Sequence, residues 1–316
     1  MPDLILHHYA SSPFSEKTRL LLGYKKLPWQ SVIIPAIMPK PDLLALTGGY
    51  RRTPVLQIGA DIYCDTALIA DVLEHLQPEP SIYPEPEKGL SRILAQWADS
   101  TLFWAAMAHN LQPRGAAEVF ANAPPEAAKA FGEDRGKMSA GNMTRLRPAD
   151  AAAAYKSYLR RLSDMLDDRP FLLGEAPCIA DFSAYHSLWY TQRIHAVKNI
   201  LQLTPAVLDW MDRIKAIGHG SPAKITAADA LAAARAAKPH TLLADSTFQD
   251  EHGIALGSAV TVRAESFGLE ETAGTLVAAT RTHYTLARMI GGGGEATGTV
   301  HVHFPRVGYV LRPAEG

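Results

Sequence analysis

Residues 11–19 read Ser11-Ser12-Pro13-Phe14-Ser15-Glu16-Lys17-Thr18-Arg19 and follow the short apolar run of residues 4–6. This order predicts a buried strand, a tight turn and a helix that begins at the turn. Ser12 suits the N-cap, because its side-chain oxygen can accept from the free N–H groups of the first turn. Pro13 suits the first helical position, where its missing N–H costs nothing. Such a helix start attracts an anion, although simple capping would explain the same two residues.

A second informative stretch begins at residue 50 and reads Tyr50-Arg51-Arg52-Thr53-Pro54-Val55-Leu56-Gln57-Ile58. Residues 55–58 and 62–64 predict two short strands joined by a tight turn. The proline stands at the entry of the first strand, where its lack of an N–H does not interrupt the ladder. Asp65 and Thr66 then begin a helix whose apolar residues recur at helical spacing.

The combination resembles the N-terminal domain of the glutathione transferase family. There, a strand, a Ser-Pro-Phe-x-Glu-x-Thr-Arg helix start, a Thr-Pro-Val-Leu strand and an acid–hydroxyl pair occur in a thioredoxin-like fold. The resemblance implies an α/β thioredoxin-like, glutathione-binding domain over residues 1–78 and an all-helical (all-α) transferase C-terminal domain over residues 88–218. Omega-like members carry a catalytic cysteine at the position where this sequence has Ser12.

The order of the remaining patterns fits these two domains. Residues 1–78 alternate strand and helix patterns, as an α/β domain should. A proline-rich linker follows over residues 78–87, and beyond it a long helix is expected over residues 90–111. His7 and His8 are adjacent in the first strand, so their side chains should face opposite sides and not share a metal.

Composition restricts the classes of partner. The 316 residues are 47% hydrophobic, and this length allows two or three domains with sizeable cores. A net charge of −1 favours neither nucleic acid nor an acidic membrane surface as a partner. Cys64 and Cys178 lie far apart without metal-ligand spacing, which suits a reducing cytoplasm. Because no apolar run is long enough to span a membrane, we expect a cytoplasmic protein. We expect no bound metal, because the cysteines lack metal-ligand spacing.

The last hundred residues depart from the two-domain pattern. Residues 227–237 predict a helix of small residues, and strand patterns follow at residues 260–262, 274–283 and 299–304. We therefore expect residues 226–316 to form this helix and a small antiparallel β barrel or sandwich of unknown role.

Two features of this appended module invite a binding interpretation. Gly291 to Gly294 form a glycine run, but no Gly-Lys-Ser/Thr follows, so a hairpin turn is favoured over a phosphate loop. His301 and His303 share one strand face, yet no third metal ligand is evident. Apolar residues alternate with these histidines, so one face must be buried. We expect the module to dock on the transferase core or on a partner subunit.

The resemblance implies glutathione as co-substrate, with its thiolate as the nucleophile. A free thiol has a pKa of about 8.5, and lowering it by about two units needs about 2.7 kcal/mol of preferential anion binding. One hydroxyl hydrogen bond to a charged partner supplies about 1.5–3 kcal/mol, and a helix N-terminus adds up to about 1 kcal/mol. Ser12 offers both, with Ser11 as the alternative and Ser15 as a weaker third. Because serine cannot form a mixed disulfide, the resemblance implies conjugation instead of thiol exchange.

The resemblance also implies the other glutathione contacts by position. Asp65 and Thr66 match the pair that holds the γ-glutamyl end, although both would cap a helix in any case. A cis bond is expected between Thr53 and Pro54, and the backbone of Val55 is expected to pair with glutathione. The expected glutathione-binding residues are Phe14, Arg52, Thr53, Pro54, Val55, Asp65 and Thr66.

An electrophile site is expected between the two domains. The helix over residues 90–111 should form one wall, with Thr101, Trp104 and His109 as candidate contacts for a small hydrophobic electrophile. Arg52 could pair with the glycyl carboxylate of glutathione, or it could be an ordinary surface arginine. The resemblance further implies a homodimer.

Three functions are compatible with these residues. The first is a glutathione S-transferase that activates the thiolate for attack on a small hydrophobic electrophile, as in detoxification. The second is a non-catalytic binding or scaffold protein with the same fold. The third is a glutathione-dependent thiol-disulfide reductase, which would need a cysteine where the first helical turn has Ser12 and Ser15.

Overall fold

The computed structural model describes residues 2–139, 146–240, 242–243, 248–249, 251–291 and 298–314. The β-strands are β1 (Ile5–His8), β2 (Gln30–Ile33), β3 (Val55–Ile58), β4 (Asp61–Cys64), β5 (Ala223–Lys224), β6 (Ala259–Ala264), β7 (Thr272–Ala279), β8 (His283–Met289), β9 (Thr299–Pro305) and β10 (Tyr309–Pro313). The α-helices are α1 (Pro13–Tyr24), α2 (Pro41–Thr47), α3 (Thr66–Leu76), α4 (Lys88–Trp97), α5 (Phe103–Asn110), α6 (Pro113–Val119), α7 (Ala127–Met138), α8 (Pro148–Met165), α9 (Ile179–Gln192), α10 (Pro205–Ile217) and α11 (Ala227–Ala236). A π-helical turn, Ala98–Leu102, joins α4 to α5, and a 3-10 helix spans Lys198–Leu203.

The first domain has the thioredoxin-like arrangement expected from its motifs. β1 pairs in parallel with β2 and antiparallel with β3, which pairs antiparallel with β4. α1 and α3 share an apolar core with this sheet, to which Leu21, Leu56 and Leu73 belong. Because β1 and β4 run in the same direction, α1 and α3 both begin at the same edge of the sheet. A site built on both helix starts therefore lies at this edge.

The second domain is helical, and α9 is its most buried helix. The carboxylate of Asp181 anchors the start of α9, because it accepts the N–H groups of Cys178 and Leu172, each at 2.9 Å. The same carboxylate accepts the indole N–H of Trp210 at 2.8 Å. The long helix expected over residues 90–111 is formed by α4, the π-helical turn and α5 in succession.

The appended module continues the sheet of the first domain. β6 to β9 form an antiparallel meander, and β10 pairs with β6 at its outer side. β9 then pairs in parallel with β4, which places His301 opposite Asp61 and His303 opposite Tyr63. At the other end, β5 pairs in parallel with β2. The result is one ten-stranded sheet in the order β10-β6-β7-β8-β9-β4-β3-β1-β2-β5.

The antiparallel module predicted from the sequence is therefore present, but its strands join the first domain's sheet instead of closing into a separate barrel or sandwich. One apolar core contains Val55 and Ile62 from the first domain together with Val260 and Val302 from the module. This shared core confirms that the module docks on the chain's own transferase core.

The hairpin between β7 and β8 differs from the expected strand over residues 274–283. The chain turns at Thr280, whose Oγ1 accepts the N–H groups of Thr282 at 3.3 Å and His283 at 3.2 Å. Side-chain hydrogen bonds thus make this turn without glycine or proline. Of the glycine run at 291–294, positions beyond Gly291 lie outside the described residues.

Candidate functional site

Ser12 caps α1 as expected. Its Oγ accepts the N–H of Ser15 at 3.2 Å, and its own N–H donates to the Tyr9 carbonyl at 3.2 Å. Ser12 is only 2% exposed, whereas the neighbouring Ser11 is exposed. The Ser15 hydroxyl is buried and has no hydrogen-bond partner in the described parts of the chain. The start of α1 therefore combines an accessible hydroxyl at Ser11 with a covered capping hydroxyl at Ser12.

Phe14 lies in the interface between the two domains. Its ring centroid is 4.7 Å from that of Phe103 in α5 and 4.5 Å from that of His186 in α9. These contacts hold α1 against the helical domain. A contact between Phe14 and glutathione stays a prediction.

The entry of β3 partly differs from expectation. The Thr53–Pro54 bond is cis, as expected. Val55, however, is fully buried and lies opposite His7 of β1 on one side and Cys64 of β4 on the other. Because both neighbouring strands are in place, the expected pairing of the Val55 backbone with glutathione is wrong. Thr53 precedes the strand, so its backbone becomes the candidate for pairing with glutathione.

Asp65 and Thr66 stand at the start of α3, as expected. Asp65 has φ 75° and ψ 136°, a backbone conformation that residues other than glycine seldom adopt. Its Oδ1 accepts the N–H of Ala67 at 2.9 Å and so caps the helix. Unusual backbone conformations of this kind cluster at binding sites, so Asp65 is a candidate for more than capping.

A buried lysine that the sequence analysis did not select connects the two helix starts. Lys17 is fully buried, and its Nζ donates to Thr66 Oγ1 at 3.1 Å and to Asp99 Oδ2 at 2.6 Å. Asp99 also accepts from His186 Nε2 at 2.9 Å and from Ser183 Oγ at 3.3 Å. Burial would raise the pKa of Asp99, but Lys17 and His186 hold it below its usual range. The Asp99 carboxylate thus stays ionised, and its ion pair with Lys17 holds the Lys17 Nζ beside the Thr66 hydroxyl.

Further cations surround the entry of β3. Lys40 Nζ donates to Thr53 Oγ1 at 3.1 Å and to the Arg51 carbonyl at 3.2 Å. Burial, with the nearby charges of Arg135 and Arg51, lowers the pKa of Lys40 to about 8. The guanidinium of Arg51 pairs with Asp134 of α7 at 2.7 Å. An anionic group beside Thr53 would therefore meet a positively charged environment.

Arg52 contacts the appended module. Its Nε donates to the carbonyl of Phe267 at 2.5 Å, and its Nη1 lies 3.8 Å from Asp65 Oδ2. Phe267 belongs to the segment between β6 and β7, residues 265–271, which we call the 265–271 loop. Arg52 is therefore not an ordinary surface arginine, because its guanidinium is held between the module and Asp65.

The three candidate electrophile contacts do not lie together. Thr101 is exposed on the π-helical turn. The ring of Trp104 lies 5.0 Å from that of Phe267, so it faces the 265–271 loop. His109 is buried in the helical domain, where its Nε2 is 3.3 Å from the Val197 carbonyl oxygen. The placement of His109 in an electrophile pocket is not supported by these contacts, and we regard it as a core histidine.

Both cysteines and His303 of the module are buried. Cys64 and Cys178 are free and buried, and burial raises the pKa of both thiols. His303 is buried, and its Nε2 lies 2.8 Å from Asp61 Oδ1. Among the described residues, no group of three or more histidine, cysteine, aspartate or glutamate side chains is arranged to hold a metal. No helix in the same residues is long and apolar enough to cross a membrane.

The family comparisons cover both domains. Residues 6–81 match the family model of the glutathione S-transferase N-terminal domain, and residues 117–213 match that of the C-terminal domain. The crystal structure of a GST-like protein from Pseudomonas syringae is 39% identical and covers 99% of this chain and 100% of its own, with a TM-score of 0.82. This similarity therefore extends over the appended module.

More distant solved structures cover about two thirds of the chain. A glutathione S-transferase from Rhodospirillum rubrum is 22% identical over 67% of this chain and 87% of its own, with a TM-score of 0.52. A tau-class glutathione S-transferase from mango, Mangifera indica, is 18% identical over 68% and 89%, with a TM-score of 0.51. At these identities the two proteins show a shared fold. No curated protein matches the chain.

Proposed function

The chain belongs to the glutathione S-transferase family, and from this we infer that it binds glutathione and activates its thiol for attack on a small hydrophobic electrophile. The observation that supports this most strongly is the 3.1 Å hydrogen bond between Lys17 and Thr66, which joins the starts of α1 and α3. Two helix starts at one sheet edge offer N–H donors and positive potential to an anionic peptide.

The start of α3 suits the γ-glutamyl end of glutathione. Thr66 Oγ1 accepts from Lys17, so the hydroxyl proton of Thr66 remains free to donate to a carboxylate. The ammonium group of Lys17 and the N–H groups of α3 would stabilise the same carboxylate. Asp65 is partly exposed and would accept from the γ-glutamyl ammonium.

The entry of β3 suits the rest of the peptide. The backbone of Thr53 would hydrogen-bond to the cysteinyl residue, because it precedes β3 and is not enclosed by neighbouring strands. Lys40 and Arg52 would neutralise the glycyl carboxylate, since their charged groups lie around Thr53 and Asp65. In this arrangement the peptide runs from α3 past β3, with its thiol towards α1.

The start of α1 suits the thiolate. Ser12 Oγ accepts from the backbone and keeps its proton free to donate to sulfur, with the positive end of α1 adding to the stabilisation. Because Ser12 is 2% exposed, sulfur reaches it only if the residues that cover it move. The exposed hydroxyl of Ser11 is therefore the competing donor.

Single alanine variants distinguish the two hydroxyls. If Ser12 stabilises the thiolate, Ser12→Ala should lower the turnover of a standard aromatic electrophile by about ten- to a thousand-fold. Loss of the N-cap should also cost about 1 kcal/mol of stability. Ser11→Ala is the matched control and should retain turnover. The opposite pattern would assign the role to Ser11, and full activity in both variants would refute thiol activation by either hydroxyl.

The burial of Ser12 favours one second candidate, a protein that binds glutathione without turnover. Such a protein would need the polar and charged contacts at Asp65, Thr66 and Arg52 but no hydroxyl that reaches the thiol. Calorimetric binding of glutathione, together with no turnover across a panel of electrophiles, would support this candidate over the transferase.

Thiol-disulfide exchange has the weakest support. Both cysteines are buried with raised thiol pKa values, so neither is a ready nucleophile. Ser12→Cys should introduce exchange activity that the natural chain lacks. A cytoplasmic homodimer, which the family resemblance implies, stays a prediction for cell fractionation and analytical ultracentrifugation.

A further inference from the structure

The appended module reaches the proposed glutathione site at two places. Tyr309 of β10 donates its hydroxyl proton to Asp65 Oδ2 at 3.0 Å. The 265–271 loop contacts Arg52 through the Phe267 carbonyl at 2.5 Å. Asp65 and Arg52 are the residues assigned above to the ammonium group and the glycyl carboxylate of glutathione.

The 265–271 loop bridges the two transferase domains. While Phe267 binds Arg52 of the first domain, the N–H of Gly268 donates to the Met138 carbonyl of the second at 2.7 Å. Gly268 has φ 66°, and a Cβ there would lie 3.2 Å from Arg52 Cγ, so this turn requires glycine. Glu270 adds an ion pair with Arg51 at 3.3 Å. The loop is thus held to both transferase domains.

Tyr309 binds the carboxylate oxygen of Asp65 that does not cap the helix. Asp65 Oδ1 accepts from Ala67 and Oδ2 accepts from Tyr309, which leaves each oxygen a further lone pair for a ligand. Burial raises the pKa of Tyr309, so its hydroxyl remains a proton donor at neutral pH. The Tyr50 hydroxyl lies 3.4 Å from that of Tyr309 and extends this buried polar chain.

We propose that the module completes the glutathione site within the same chain: Tyr309 positions Asp65 for the γ-glutamyl ammonium, and the 265–271 loop positions Arg52 for the glycyl carboxylate. This inference rests on the proposed binding of glutathione. The ring of Phe267, 5.0 Å from Trp104, adds an aromatic surface between the module and α5. An aromatic second substrate fits this surface best, because aromatic rings gain from edge-to-face contact.

The role of Tyr309 is tested with two ligands and a matched variant. Tyr309→Phe should raise the Kd of glutathione, measured by calorimetry on the full chain, about three- to tenfold through the loss of one hydrogen bond. The Kd of N-acetylglutathione, which lacks the ammonium group, should be the same for both proteins. Tyr284→Phe removes the hydroxyl of another buried tyrosine of the module and should leave both values unchanged.

The outcomes separate this inference from the proposed function. If the natural chain binds no glutathione, the proposed function fails. If it binds glutathione and Tyr309→Phe binds it equally well, the positioning role of Tyr309 is refuted. An equal loss of affinity for both ligands in Tyr309→Phe would indicate general loosening of the module and would also overturn the inference.

The role of Phe267 has its own test. Phe267→Ala should weaken S-benzylglutathione about three- to tenfold and leave glutathione unchanged, because the ring should contact only the aromatic substituent. Phe248→Ala removes an exposed phenylalanine outside the 265–271 loop and serves as control. Equal affinities of Phe267→Ala and the natural chain for S-benzylglutathione would remove Phe267 from the site.

Discussion

The α-carbon of Gly49 meets the backbone of Glu271 so closely that a Cβ on Gly49 would lie 1.8 Å from the Glu271 carbonyl oxygen. Beside this contact, Thr272 Oγ1 donates to the Thr47 carbonyl at 2.9 Å and accepts the Tyr50 N–H at 3.2 Å. The close contact with Glu271 therefore requires glycine at position 49, just after α2. The requirement comes from the module, more than two hundred residues later in the chain.

The Gly49–Glu271 contact leads to a prediction about stability. Gly49→Ala should lower the unfolding midpoint by several degrees, because the added methyl group forces two backbones apart. Gly89→Ala is the control, since a Cβ at Gly89 meets nothing within 4 Å. It lies in α4, so alanine should leave the midpoint unchanged or raise it slightly. Thermal unfolding followed by circular dichroism compares the variants. Equal unfolding midpoints for Gly49→Ala and Gly89→Ala would show that the Gly49 and Glu271 backbones can move apart without loss of stability.

The ion pair between Lys17 and Asp99 leads to a prediction about binding. Lys17→Met should destabilise the fold, because it leaves the Asp99 carboxylate without its cation, and removal of one partner of a buried pair costs about 3–5 kcal/mol. The double variant Lys17→Met/Asp99→Asn should recover much of this stability. It should still bind glutathione at least tenfold more weakly, because the ammonium beside Thr66 is absent.

Calorimetry on the double variant separates the two roles of Lys17. Lys156→Met is the control, since Lys156 is exposed on α8 and should affect neither stability nor binding. Natural affinity in the double variant would mean that Lys17 is structural and that the Thr66 hydroxyl acts without its charge.

His8 leads to a prediction about pH. Its Nδ1 accepts from Arg19 at 3.1 Å, and its Nε2 bonds to Ser31 at 2.9 Å. Burial and the Arg19 charge lower the pKa of His8 to about 4. The unfolded chain, with a histidine pKa of about 6.5, binds more protons between these values. Stability should therefore fall as pH is lowered from about 6.5 to about 4, and it should change little from His8 above that range.

The variant His8→Gln tests this linkage. It should show a shallower loss of unfolding free energy between pH 6.5 and 4 than the natural chain does, although His7, with a pKa also lowered to about 4, retains part of the dependence. Denaturant unfolding at several pH values gives the comparison. An NMR titration that places the pKa of His8 near 6.5 would contradict the prediction.

Local motifs were sufficient to predict the first two domains. The cap at Ser12, the Thr53–Pro54 bond and the helix start at Thr66 each depend on neighbouring residues, so the pattern and the structure agree. The pairing of β4 with β9 depends on residues 240 positions apart. Alternation of polar and apolar residues predicts a strand but does not identify the strand that pairs with it. The module's place in the sheet was therefore not predictable.

The same distinction applies to the site. Helix starts are visible as capping residues, whereas Tyr309 and Phe267 reach Asp65 and Arg52 only through the docking of the module. Lys17 was closer to prediction, since it lies inside the motif that begins at Ser12. Its burial makes it a candidate site residue, but burial of a lysine follows from the packing of α1 against Asp99 and not from the motif.

The most direct test of the transferase proposal is the ionisation of the bound thiol. Ultraviolet difference absorbance of the glutathione thiolate, recorded at saturation over a range of pH, gives the pKa of bound glutathione. The natural chain should lower this pKa from about 8.5 to about 6.5, and Ser12→Ala should return it towards 8.5. If the natural chain binds glutathione to saturation but the pKa of the bound thiol stays near 8.5, thiol activation is contradicted. The chain would then be a protein that binds glutathione without activating it.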